Sequence, residues 1–137
     1  MAANTAPIFS ANPDVQWGPT TITTANTAKD GTGTVLLAFT AGINGSYVQR
    51  IRFRTAGTNV QTVARVFINN GSANSTPANN ILYDELTLAA TTISETTAQS
   101  TYEIPLNFGL QAGYKLNITI GTTVAAGYYV SVIGGDY

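Results

Sequence analysis

The chain contains no cysteine and no histidine among its 137 residues. Disulfides and thiolate metal sites are therefore excluded, and the most common general base and metal ligand are missing. Charged residues make up only 9% of the sequence, where about a quarter is typical. Six basic and seven acidic side chains leave a net charge of −1, so we expect no nucleic-acid partner.

Long apolar segments are also absent. Residues 1–14 show neither the basic start nor the apolar stretch of a signal peptide, and no apolar run is long enough to span a bilayer. We therefore expect no signal peptide and no membrane partner. The missing residue types exclude Ser-His-Asp and Cys-His sets. Adjacent Asp84 and Glu85 would point to opposite faces of a strand, which is a poor arrangement for a catalytic pair.

Asp84 would then lie on the apolar side of its strand, so we expect it at a strand end or beside a buried partner. No segment supplies the several converging oxygens of a calcium site or the ending of a phosphate-binding loop. The sequence therefore predicts a protein that is not an enzyme and that has no cofactor and no metal site.

Threonine, asparagine, glycine and alanine take the place of charge, and apolar residues alternate with polar ones nearly everywhere. This period of two indicates β-strands, and Asp30-Gly31, Asn44-Gly45 and Asn70-Gly71 are dipeptides that favour turns. The pattern predicts eight strands, at residues 20–25, 34–40, 46–55, 61–69, 80–88, 101–108, 114–121 and 127–134.

Each predicted strand has one apolar face, so two sheets must pack these faces together. We predict an all-β fold, an eight-stranded antiparallel β-sandwich of jelly-roll type at residues 20–137, with an immunoglobulin-like sandwich as the alternative. Residues 1–19 contain Pro7, Pro13 and Pro19 and are predicted to form an extended N-terminal arm. The predicted core includes Val35, Leu37, Phe39, Ile51, Phe53, Ala64, Val66, Ile68, Leu82, Leu86, Leu88, Ile104, Leu106, Phe108, Leu116, Ile118, Ile120, Val130 and Val132.

Three of the four arginines, Arg50, Arg52 and Arg54, occupy every second position of the third strand. The alternation places them together on the outer face of a sheet. A solvated outer face is the simplest interpretation. Like charges at this spacing repel one another modestly, and carboxylates on neighbouring strands would relieve that repulsion.

A jelly roll places the third strand beside the sixth and the fourth strand beside the fifth. We therefore predict that Glu103 pairs with the arginine row on one sheet and that Arg65 pairs with Glu85 on the other. One carboxylate cannot neutralise three guanidinium groups, so the remainder would be free for the carboxylates or carbonyl groups of a partner.

Aromatic residues outside the predicted core are further candidates for contacts with a partner. Phe9 and Trp17 lie in the predicted arm, Tyr128 and Tyr129 are adjacent so that one must face outward, and Tyr137 ends the chain. Capping of the sandwich ends is the alternative role for these aromatics, and stacking on sugar rings is another. The candidate interface residues are Phe9, Trp17, Arg50, Arg52, Arg54, Tyr128 and Tyr137.

The segments AGINGSYVQRIRFRTAGT, ARVFINNGS, LQAGYKLNITIGT and GYYVSVIGGDY resemble small structural proteins of tailed bacteriophages, and in particular the capsid decoration (auxiliary head) proteins. The resemblance covers residues 34–137 and is one of pattern. It implies a β-sandwich without catalytic residues that is made in the bacterial cytoplasm and is found on the capsid exterior of the virion. It also implies binding to the major capsid protein, often as a homotrimer, so that contacts between capsomers are stabilised.

A carbohydrate- or receptor-binding β-sandwich module of a phage fibre is the alternative function, with Trp17, Tyr128 and Tyr129 as stacking platforms.

Overall fold

The computed structural model of the protein describes residues 10–137, and they form a sandwich of two four-stranded antiparallel sheets. Sheet I has the strand order β1-β8-β3-β6 and sheet II the order β2-β7-β4-β5. The strands are β1 (Asn12–Trp17), β2 (Leu36–Thr40), β3 (Ser46–Thr55), β4 (Thr62–Asn69), β5 (Asn80–Leu88), β6 (Thr101–Leu110), β7 (Lys115–Ile120) and β8 (Tyr128–Asp136).

The pairing of β3 with β6 and of β4 with β5 confirms the predicted jelly-roll neighbours. The outermost strands in sequence also pair, β1 with β8 and β2 with β7, as if one long antiparallel hairpin had been folded over. These strand orders are those of a jelly roll and differ from the strand neighbours of an immunoglobulin-like sandwich, so they exclude that alternative. The β-sandwich prediction is therefore confirmed.

The first strand is not where the sequence predicted it. Residues 20–25 make only isolated bridges, at Ile22 with Tyr128 and at Ala25 with Ile120. Strand β1 instead lies within the predicted arm and pairs along its whole length with β8. Describing residues 12–17 as an arm rather than a strand was therefore wrong. Phe9 lies outside the described residues.

The predicted core is largely correct, but β2 departs from simple alternation. Its register on β7 shifts between Leu37 and Phe39, so Ala38 and Phe39 are both buried while Leu37 is 40% exposed. Leu36 packs against the core instead. The bulge therefore moves Leu37, a predicted core residue, to the outer face of sheet II.

Part of the outer face of sheet II, above β7, is covered by the protein's own loops. After Ala25 the chain leaves the sheet, and Asn80 on β5 binds it again by donating from its side-chain amide to the carbonyl oxygen of Asp30, at 3.1 Å. Residues 26–34 therefore pass over the outer face between β7 and β5. Strand β7 is consequently buried on both faces, and its polar residues Asn117 and Thr119 are almost inaccessible.

A buried polar cluster holds the loops together at one end of the sandwich. The side-chain amide of Asn59 donates to the Thr55 hydroxyl and to the Gly127 carbonyl, both at 3.0 Å. Its carbonyl oxygen accepts the backbone N–H groups of Ala126 and Gly127, at 2.9 and 2.8 Å. This one side chain satisfies backbone groups that would otherwise be buried without partners.

Candidate functional site

The outer face of sheet I brings most of the predicted interface residues together. Pairing in register aligns Trp17 of β1, Ser131 of β8, Arg52 of β3 and Glu103 of β6 in one row across all four strands. We call this surface the arginine face; its other members in the adjacent rows are Val15, Ile133, Arg50, Pro105, Tyr129, Arg54 and Thr101.

The predicted ion pairs are present on both sheets. On the arginine face, Oε1 of Glu103 lies 3.6 Å from Nε of Arg50 and 3.8 Å from Nε of Arg52. On sheet II, Nε of Arg65 donates to Oε1 of Glu85 at 2.8 Å. The pairs on sheet I are half-exposed, so each stabilises the fold by less than about 1 kcal/mol. Their importance lies in the charge that they leave unbalanced.

Arg54 has a different set of partners from the other two arginines. Its Nη1 donates to the carbonyl oxygen of Gln99 at 2.8 Å and to the Thr101 hydroxyl at 2.9 Å, which ties β3 to the loop before β6. These partners are neutral, so they do not neutralise the positive charge of Arg54. Across the arginine face, three guanidinium groups therefore face a single carboxylate, and the surface is positive in a protein whose net charge is −1.

Exposed apolar side chains lie beside this charge. Trp17 is 68% exposed, Tyr129 is 59% exposed and Val15 is 51% exposed. In the pairing of β1 with β8, Tyr129 is two residues from the partner of Trp17, so the two rings are diagonal neighbours. Tryptophan, tyrosine and arginine dominate the binding energy of protein interfaces. The composition of the arginine face is therefore typical of a contact surface.

Tyr128, a predicted interface residue, is a core residue instead. Its side chain is fully buried with Val130 and Val132, and burial raises the pKa of its hydroxyl. The sequence contained the signal for this result, because alternation from Val130 places Tyr128 on the inner face and Tyr129 on the outer one. Tyr137 is half-buried, and its backbone N–H donates to the Gly45 carbonyl at 3.2 Å.

Asp84 and Glu85 are both exposed, contrary to the expectation that Asp84 has a buried partner or ends its strand. The register of β4 on β5 shifts between Val66 and Phe67, and Asp84 Oδ1 accepts the backbone N–H of Glu85 at 2.7 Å. The bulge explains how two adjacent residues reach solvent. Within residues 10–137, no three acidic side chains cluster as a metal site would require.

A polar cluster at the β1 edge was missed by the sequence reasoning. Gln16 donates from Nε2 to Asp14 at 2.8 Å and to the Thr40 carbonyl at 2.9 Å, and its Oε1 accepts the Thr40 N–H at 2.9 Å. Burial raises the pKa of Asp14, and the nearby carboxyl of Asp136 raises it further. Gln16 thus connects sheet I to sheet II through hydrogen bonds between its side-chain amide and the backbone of Thr40.

No helix in the described part of the chain has the length and apolar character needed to cross a membrane. No protein-family model matches the chain, and no curated protein matches it. Among solved structures, a chain in the structure of infectious bursal disease virus Gt strain is similar at 17% identity, with a TM-score of 0.29. The match covers 97% of this chain and 36% of that one. Because this similarity is low, the functional assignment depends on the strand order and on the two outer faces of the sandwich.

Proposed function

We propose that the protein is a non-enzymatic structural component of a virus particle that binds the outer surface of a capsid. The observation that supports this proposal is the contrast between its two outer faces. Loops cover part of sheet II, above β7, whereas the arginine face presents Trp17, Tyr129 and Arg52 without cover from the described residues. A rigid sheet loses little conformational entropy on binding, and aromatic side chains beside arginines supply the binding energy.

The sequence resemblance makes the proposal more specific. The protein decorates the head of a tailed bacteriophage, binds its major capsid protein as a homotrimer and stabilises contacts between capsomers. Trimeric attachment would strengthen the contact, because three linked contacts bind far more tightly than one. The low charge of the rest of the surface lowers the cost of desolvation in such a contact.

The test is co-sedimentation of the purified protein with phage heads assembled without it. We expect the wild type to bind and Trp17→Ala and Tyr129→Ala to lose at least about tenfold in affinity, as truncation of interface hot spots does. Val60→Ala is the matched control, because Val60 is 58% exposed but lies in the β3–β4 loop, away from the arginine face. Its affinity should be unchanged.

Imaging of intact particles provides the second readout. Density at the three-fold positions should disappear from particles when this gene is deleted. Wild-type protein that fails to bind heads but is retained on immobilised glycans would refute the proposal and favour the fibre-module alternative, in which Trp17 and Tyr129 stack on sugar rings.

A further inference from the structure

A second concave site lies on sheet II, opposite the arginine face. It is a cleft of about 260 Å³ whose floor is made by Leu37, Lys115, Asn117 and Asn69 on three adjacent strands. Residues 71–74 of the β4–β5 loop form one wall, and Val35 closes the end where β2 begins. Both loops and sheet therefore contribute to it.

Asn117 is the feature of this cleft that internal structure does not explain. It is only 4% exposed and lies between Leu37 and Phe67 in the sheet register, both of them apolar. Its side-chain amide makes no hydrogen bond within residues 10–137, whereas the amides of Asn69 and Asn74 beside it are both bonded. The amide atoms of Asn117 are not among the fully enclosed atoms without a partner, and the residue lines the cleft, so its amide is free to bond water or a ligand there.

The walls of the cleft are fixed before any ligand arrives. Asn74 donates from its side-chain amide to the carbonyl oxygens of Gly31 and Gly33, at 3.1 and 2.9 Å, and so ties the β4–β5 loop to residues 26–34. Gly31 has a positive φ of 79°, and a Cβ there would come within 2.6 Å of the Asn80 Cβ. Glycine at position 31 thus permits the close approach of residues 26–34 to Asn80. Because the loops are already held in place, a ligand does not have to order them on binding.

The lining of the cleft points to the chemistry of its ligand. Lys115 supplies a positive charge without an ion-pair partner among the described residues, and the lining contains no carboxylate. Asn117 offers both a donor and an acceptor to hydroxyl groups, and Leu37 offers an apolar surface for a ring. We propose that this cleft binds an acidic sugar unit of a glycan, with its carboxylate at Lys115 and its hydroxyls at Asn117.

The site is independent of the proposed attachment to a capsid. The two sheets of a sandwich expose opposite outer faces, so a protein bound through the arginine face would present this cleft to the medium. Loss of sugar binding would leave attachment unchanged, and loss of attachment would leave sugar binding unchanged.

The test is titration of the purified full chain with glucuronate, glucose and acetate, followed by NMR chemical shifts and calorimetry. We expect glucuronate to bind with a Kd on the order of 1 mM, as single sugars do to shallow clefts, and at least about tenfold tighter than glucose or acetate. Asn117→Leu should abolish binding while leaving the thermal midpoint unchanged, because this amide has no internal partner to lose.

Lys115→Gln should remove the preference for glucuronate over glucose, whereas Lys29→Gln, which removes an exposed charge elsewhere, should not. Three results would each overturn the proposal. They are the absence of glucuronate binding, equal binding of acetate, which would indicate an anion site only, and full binding by a folded Asn117→Leu variant.

Discussion

Asp14 illustrates how one side chain sets a pH dependence. Burial raises its pKa, so the native state holds this proton more tightly than the unfolded chain does. Its contribution to stability is therefore greatest at low pH and is lost as the pH rises from the ordinary pKa of aspartate through the raised one. At pH 7 we expect Asp14→Asn to be more stable than the wild type, by less than about 0.5 kcal/mol because the group is partly solvated.

Asp30 provides a control of opposite sign. Its Oδ1 accepts the hydroxyl and the N–H of Thr32, at 2.6 and 3.1 Å, and these bonds lower its pKa. The stability that it contributes is present above the ordinary pKa and is lost as the pH falls through the lowered one. Thermal denaturation at pH 3 and pH 7 should show Asp30→Asn less stable than the wild type only at pH 7. Equal midpoints for the wild type and Asp14→Asn at both values would contradict the assignment at Asp14.

Replacing Asn59 should lower the free energy of unfolding by a large amount for a side chain of its size. Asn59→Ala removes three donated and two accepted hydrogen bonds and leaves the N–H groups of Ala126 and Gly127 without these partners. We expect urea denaturation to show a loss of about 3–5 kcal/mol. Asn70→Ala is the control; Asn70 is exposed and bonds Asn79 across its own loop, so the variant should lose less than about 1 kcal/mol. Similar losses for the two variants would refute the role of Asn59.

Side-chain direction was predictable where alternation is uninterrupted. The arginine row, its contact with Glu103 and the Arg65–Glu85 pair followed from period two together with strand order. Tyr128 could have been placed in the core by the same rule. Leu37 and Asp84 could not, because bulges in β2 and between β4 and β5 shift the phase, and a bulge has no signal in a single sequence here.

At the scale of the element, β1 depends on hydrogen bonds made by a side chain. Gln16 reaches the backbone of Thr40 in the opposite sheet through both ends of its amide. Gln16→Ala should therefore loosen β1 selectively. Hydrogen exchange at residues 12–17 should quicken by at least about tenfold, which corresponds to about 1.4 kcal/mol, while exchange in β4 and β7 stays unchanged.

Gln49→Ala is the matched control for this experiment. Gln49 is exposed on β3, which β8 separates from β1, so this substitution should leave exchange in β1 as it is in the wild type. Uniform acceleration across both sheets in Gln16→Ala would show that β1 opens only with the whole molecule.

Strand β1 was not predictable from the sequence, for a physical reason. Pro13 and the nearby Pro19 argue against a central strand, and the β1 segment has only Val15 and Trp17 as large apolar residues, both of which face outward. An edge strand tolerates proline because one side of its backbone has no partner. Pairing with β8 over six residues, rather than burial of an apolar face, therefore holds this strand.

At the scale of the molecule, the two outer faces differ because one long connection folds back over its sheet. Alternation predicts which residues point outward, but not whether a loop then covers them. Residues 26–34 and the β4–β5 loop bury Asn117 and Thr119, although the sequence predicts a solvated polar face there. The arginine face has no such cover from residues 10–137, and that difference emerges only when the fold is complete.

The single tryptophan makes the arginine face directly observable. A trimer built around this face would gather the arginines of three copies at one axis, and such like-charge contacts are costly. We therefore expect Trp17 to remain exposed in the free protein at every concentration, with red-shifted fluorescence that is readily quenched by iodide. Binding to phage heads should shift the emission to the blue and protect it from the quencher, because the ring then lies in a contact.

Arg52→Gln and Arg54→Gln should each weaken the binding to phage heads by about three- to tenfold. Added salt should weaken binding of the wild type more than binding of the variant that carries both substitutions. Lys29→Gln is the charge control and should leave both the affinity and its salt dependence unchanged. A blue shift that grows with protein concentration in the absence of heads would instead assign the arginine face to contacts between copies of the chain.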